Sequence, residues 1–185
     1  MQLIKSLAVL GLAAMSSAAA IDSSPVPLTL KKTIKSREEQ KCLCQSDVDY
    51  LIDGYSKIIQ GWKPEYEVFL HPDLIDYSDS INVLAGVPLG VPIFPTKADF
   101  IQHQEVAPDT LPLIVTKLGP WDCDELSFVW TASFPESVRG VTILGAKKTD
   151  EGLWAISRID VEFNSLTFFK NIGGTVTPPG APARV

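Results

Sequence analysis

Residues 125–163 read ELSFVWTASFPESVRGVTILGAKKTDEGLWAISRIDVEF, and this stretch decides the fold. Its apolar residues recur at every second position, the period of a strand with one buried face. Three strands are predicted: Glu125–Phe134, Val138–Lys147 and Leu153–Phe163, the last continuing toward Phe169. Pro135-Glu136-Ser137 and Thr149-Asp150-Glu151-Gly152 join them, and both links have hairpin length. A further strand, Leu111–Lys117, precedes the run.

Upstream the period becomes helical. Val48, Leu51, Ile52, Tyr55, Ile58 and Ile59 fall on one face of a helix that Ser46 caps and Gly61 ends. Asp47 and Asp49 lie in its first turn, where the helix dipole favours carboxylates. A short second helix fits Glu65–Leu70, opened by Pro64. Thr96 caps a third, TKADFIQHQ, with Asp99 completing the capping pattern and Phe100, Ile101 and Gln104 facing inward. Between the second and third, Leu74–Leu84 (LIDYSDSINVL) reads as a strand, followed by a loop with one short strand near Pro92–Phe94. Three helices followed by a run of antiparallel strands make an α+β domain.

The chain has 185 residues, 45% of them hydrophobic and 21% charged, which suits one domain with a sizeable core rather than a disordered chain. A net charge of −6 argues against nucleic acid and against an electrostatic hold on anionic lipid. Residues 1–20 read as a cleaved signal peptide: Lys5, then the apolar Leu7–Met15, then Ala18-Ala19-Ala20. The apolar run is too short to span a bilayer, so the mature chain is expected to be secreted and free of the membrane. Residues 21–41 read as a flexible lead-in and 173–185 as a disordered tail, both broken by proline and polar runs.

An oxidising route makes a disulfide the expected state of two of the three cysteines. Cys42 and Cys44 are too close to pair without strain, so one of them joins Cys123. Cys44 is favoured because it directly precedes the first helix. Cys42 is then left over, either free or bridging two chains. Cysteines and histidines are too few, in the wrong spacing, for a zinc site, and no cofactor is called for.

The order of elements resembles the nuclear transport factor 2-like superfamily, and the wording resembles a secreted fungal group within it. The resemblance rests on CQSDVDYLIDGY (44–55), DLIDYSDSINVLAGVPLG (73–90), FIQHQ (100–104) and EFNS (162–165), and covers residues 42–172. It implies a cone, with three helices packed on a curved, mainly antiparallel sheet and a pocket at the open end. It also implies dimers through the sheet in many members. Enzymatic members are isomerases, dehydratases and cyclases that use pocket carboxylates and histidines, and other members only bind. No catalytic set transfers residue by residue.

From the residues themselves, strand alternation over 74–84 places Ile75, Tyr77, Asp79, Ile81 and Val83 on one face, with Asp76, Ser78, Ser80 and Asn82 on the other. Asp79 is then a carboxylate amid apolar neighbours, a candidate general base, with Tyr77 beside it as a donor. The bland alternative is that Asp79 only ties the strand down. Glu162 and Asn164 are second-line pocket candidates, reachable if a bulge turns the last strand, and otherwise lie on a solvated face. Trp62 is placed at the pocket mouth. Trp130 and Trp154 read as core. His71 reads as an exposed turn residue, and His103 as a surface partner of Asp99. The Val138–Lys147 strand is apolar on both faces, so a homodimer through the sheet is expected.

Two functions follow. One is a secreted protein that binds a small apolar ligand in the cone pocket, extending to a lyase, isomerase or cyclase if Asp79 and Tyr77 act on it. The other is a non-catalytic interaction factor whose pocket is filled by its own side chains.

Overall fold

The period-two run folds as read. In a computed structural model describing residues 41–107 and 111–177, strand β4 (Glu125–Ala132) pairs antiparallel with β5 (Val138–Lys148) without a break, from Glu125↔Gly145 to Ala132↔Val138. β5 pairs with β6 (Trp154–Phe163) and β3 (Leu113–Trp121) with β4, both antiparallel. The inward positions are Leu126, Phe128, Trp130 and Ala132 on β4, and Val138, Thr142, Leu144 and Ala146 on β5; all are buried. Register shifts in β3–β4 and between Gly145 and Ala146 bend this sheet.

Helix α1 (Gln45–Gln60) lays Val48, Leu51, Tyr55 and Ile58 on the concave face, all nearly inaccessible. A 3-10 helix, Pro64–Phe69, leads into β1 (Leu70–Tyr77). Then come α2 (Asp79–Ala85), β2 (Pro92–Phe94), α3 (Lys97–Val106) and, after β6, α4 (Ser165–Asn171). Thr96 caps α3 as expected, and Phe100 buries its inner side. The six strands run in the order β2-β1-β6-β5-β4-β3, with β1 and β6 parallel and every other neighbour antiparallel. The α+β cone expected from the sequence is the observed fold.

Four local readings are corrected. The Leu74–Leu84 segment is a strand only to Tyr77. There Ser78 accepts the Ile81 N–H at 3.1 Å, and α2 runs on to Gly86, whose φ of +70° closes the helix. The last strand stops at Phe163, where Asn164 caps α4 by accepting the Thr167 N–H. Strand β3 starts and ends later than expected.

The fourth concerns the cysteines. Cys44, not Ser46, is the cap of α1. The Asp47 carboxylate accepts both its backbone N–H, at 3.1 Å, and its thiol, at 3.0 Å. With Cys44 engaged in the cap, the disulfide joins Cys42 to Cys123 instead of Cys44 to Cys123. The Leu43 N–H donates to Cys123 O at 3.0 Å and holds the two segments together.

The signal peptide, the lead-in up to residue 40 and the tail beyond residue 177 lie outside the described residues. Among those described, no helix is long and apolar enough to cross a membrane.

Candidate functional site

The acid facing the interior is Asp76 and not Asp79, because β1 turns its even-numbered side to the core. Leu74 and Asp76 share the inward side with Ser78, and all three are buried. Ile75 and Tyr77 look outward, and the Arg158 guanidinium lies 4.3 Å over the Tyr77 ring. Asp79 is exposed in the first turn of α2. Its Oδ1 accepts the Gly90 N–H at 2.7 Å and lies 3.5 Å from Asn82 Nδ2, so it ties down the following loop.

None of the remaining expected residues is fully buried, although Trp62 packs against the edge of the core. Glu162 reaches over the end of β1, where its carboxylate accepts the Asp79 N–H at 2.6 Å, the Ser80 N–H at 3.0 Å and the Ser80 hydroxyl. Asn164 is the cap of α4. Trp62 borders a surface recess of about 310 Å³ with Gln60, Lys63 and Tyr66. Asp79 and Glu162 therefore meet through a backbone amide, and the other three serve separate places.

The interior holds a different set. Trp130 Nε1 donates to Thr142 Oγ1 at 2.9 Å, and Thr142 Oγ1 donates to Tyr55 Oη at 3.4 Å. That chain leaves the Tyr55 hydroxyl hydrogen to be given elsewhere. Tyr55 senses the charge of Asp76, which with burial, the larger cause, raises the tyrosine pKa. Asp76 itself is 3% exposed, and its Oδ1 has no hydrogen-bond partner among the described residues. Burial, reinforced by the nearby Asp160 charge, pushes its carboxyl well above the usual range. Asn82, wholly buried, gives its amide hydrogens to Val91 O at 2.9 Å and toward Asp79, while its Oδ1 also has no hydrogen-bond partner among the described residues. The interior thus offers a buried carboxyl with a raised pKa, a buried phenol and two carbonyl-type oxygens.

The sequence carried a signal for this arrangement. Ser78 followed by Asp79, with Gly86 eight residues after the cap, is a helix start and stop. Reading it would have taken Asp79 out of the strand.

Both histidines sit elsewhere. His71 is less open than expected: its side chain is 13% exposed and its Nδ1 accepts the Asp73 N–H at 3.1 Å. His103 does not form the expected pair with Asp99. Its ring packs on Phe94 with centroids 4.7 Å apart, and burial lowers its pKa. Asp99 instead takes the Thr96 hydroxyl at 2.6 Å. His71 borders an open cleft of about 610 Å³ with Val68, Lys97, Thr149 and Leu153.

A family model described as an NTF2-like domain matches residues 41–175. Among solved structures, a steroid delta-isomerase from Pseudomonas aeruginosa is 14% identical, with 71% of this chain and 91% of that chain covered and a TM-score of 0.46. A putative polyketide cyclase from Streptomyces antibioticus is 14% identical over 68% of this chain and 97% of its own, with a TM-score of 0.47. An NTF2-like protein of unknown function from Burkholderia pseudomallei is 12% identical over 70% and 96%, also with a TM-score of 0.47. No curated protein matches the sequence.

Proposed function

The chain belongs to the NTF2-like domain family, and from that premise we propose that it holds a small, largely apolar molecule inside the cone without turning it over. The observation that carries this reading is the Oδ1 of buried Asp76, which has no hydrogen-bond partner among the described residues, in the same interior as the buried Tyr55 hydroxyl. A polar oxygen buried without a partner costs roughly 1–3 kcal/mol. A ligand hydroxyl or N–H would satisfy it, and Tyr55 would donate to an oxygen of the same molecule. Binding rather than turnover fits the placement of the histidines: His103 packs on Phe94 and His71 borders the outer cleft, so both are engaged away from Asp76.

Titration with 2-naphthol, followed by tryptophan fluorescence and thermal shift, tests it. Saturable binding that Asp76→Leu abolishes supports the reading. Equal binding by that variant, or no saturable binding of 2-naphthol by the parent chain, overturns it.

A second reading has its own support. Tyr55 packs edge-on against Phe128 at 5.6 Å, and Trp130 packs against Phe163 at 6.1 Å, so side chains of the fold occupy much of the cone. That suits a non-catalytic interaction factor.

Secretion is part of the proposal, supported by the apolar leader of residues 1–20 and by the Cys42–Cys123 disulfide. A homodimer through the convex sheet face is likewise proposed. There Ile114 and Val141 are 55% and 45% exposed, beside half-buried Val129 and Ile143.

A further inference from the structure

We propose that α4 is a latch over the cone interior, a role that presupposes the interior binding just proposed. The helix has only seven residues and none of them is buried. Two turns do not hold a helix together alone, so its contacts must do so. Those contacts are specific, and beside packing on α2 they are made by rings and one amide. Phe168 packs edge-on against Phe134 at 5.6 Å and against Phe163 at 5.4 Å, and Phe163 in turn packs on Trp130.

At the far end, Asn171 clasps the β4–β5 turn through both ends of its amide. Its Oδ1 accepts the Glu136 N–H at 3.1 Å, and its Nδ2 donates to Glu136 O at 2.7 Å. Lys170 adds an ion pair to Glu136 at 3.6 Å, half exposed and therefore weak. The outward side offers nothing further: Leu166 and Ile172 are about 60% exposed.

The ring stack runs from this clasp directly to Trp130, the first donor of the chain that ends at Tyr55. Releasing Phe168 uncovers Phe163, and then the indole. An element with so little burial opens at low free-energy cost compared with the sheet beneath it. The latch thus provides a route for a ligand into a cone whose strands need not separate.

The test uses the full chain with Trp62, Trp121 and Trp154 replaced by Phe, so that Trp130 alone reports. Phe168→Ala and Asn171→Ala are compared for acrylamide quenching and for hydrogen exchange at the Glu136 amide. A latch predicts quenching about threefold higher in Phe168→Ala, a smaller rise in Asn171→Ala and faster exchange at Glu136, with far-UV circular dichroism unchanged. Unchanged quenching in both variants overturns it. If Phe168→Ala loses its dichroism, Asn171→Ala decides alone, since its side-chain amide bonds the surface turn rather than the ring stack. Faster 2-naphthol entry in the variants supports latch and ligand site together. Raised quenching with no saturable 2-naphthol binding in any variant keeps the cover and removes the ligand.

Discussion

Glu162 Oε1 accepts the backbone N–H of Asp79 at 2.6 Å, joining positions 83 residues apart. With the Ser80 N–H on its other oxygen, this carboxylate satisfies the opening amides of α2, which lie just past the end of β1. Glu162→Ala is expected to lower stability by about 1–2 kcal/mol, measured as a lower urea midpoint at unchanged slope. Glu162→Gln keeps an acceptor and loses less. Equal midpoints for parent and Ala variant would show that the contact contributes nothing.

Asp76 makes stability depend on pH in a set direction. Its folded pKa lies well above the value in the unfolded chain. Between the two values the folded state holds the extra proton, so stability falls as pH rises from the unfolded pKa through the folded one. Its contribution is fully present below the unfolded carboxyl range. Asp76→Asn removes that slope, and Asp76→Leu is expected to raise the melting temperature at neutral pH. A parent chain whose stability climbs through the same window at the rate of Asp76→Asn would contradict the burial of this acid.

A Cβ added at Gly140 would overlap the Trp130 ring, because the indole lies flat across that strand. Gly140→Ala is expected to cost about 1–3 kcal/mol through overpacking and to shift tryptophan emission toward the red. Emission and stability both unchanged would mean that the indole sits elsewhere.

The cysteine pairing predicts different outcomes for neighbouring serines. Cys44→Ser keeps the disulfide, whereas Cys42→Ser loses it and about 2–5 kcal/mol of stability. Non-reducing peptide mapping gives the answer, and a Cys44–Cys123 peptide in the parent chain would reverse it.

Val141→Asp puts a charge on the exposed convex face. Sedimentation of the parent as a dimer and of this variant as a monomer is the expected result. A parent that stays monomeric at high concentration removes the proposed interface.

Much of the architecture was legible because its periods are long and clean. The β4–β5–β6 run alternates over nearly forty positions, and α1 repeats its apolar face for four turns. The site was not legible, for a reason confined to a few residues. LIDYSDSINVL satisfies strand alternation through to its end, yet Ser78 offers its hydroxyl to Ile81 and converts the second half to helix. That helix takes Asp79 out of the strand, and the inward acid is Asp76, on the other side of the alternation. The parallel pairing of β1 with β6 and the choice of Cys42 over Cys44 depend on contacts about 80 residues apart, which no local pattern encodes.

Strand β1 enters the sheet solely beside β6, the last strand made, and carries β2 with it. On the ribosome, then, the segment bearing Asp76 can pair with β2 and pack on α3, but its β6 side stays open until Trp154–Phe163 has emerged. Nascent chains halted before that point must keep the acid hydrated, and sealing of the interior falls among the final acts of folding.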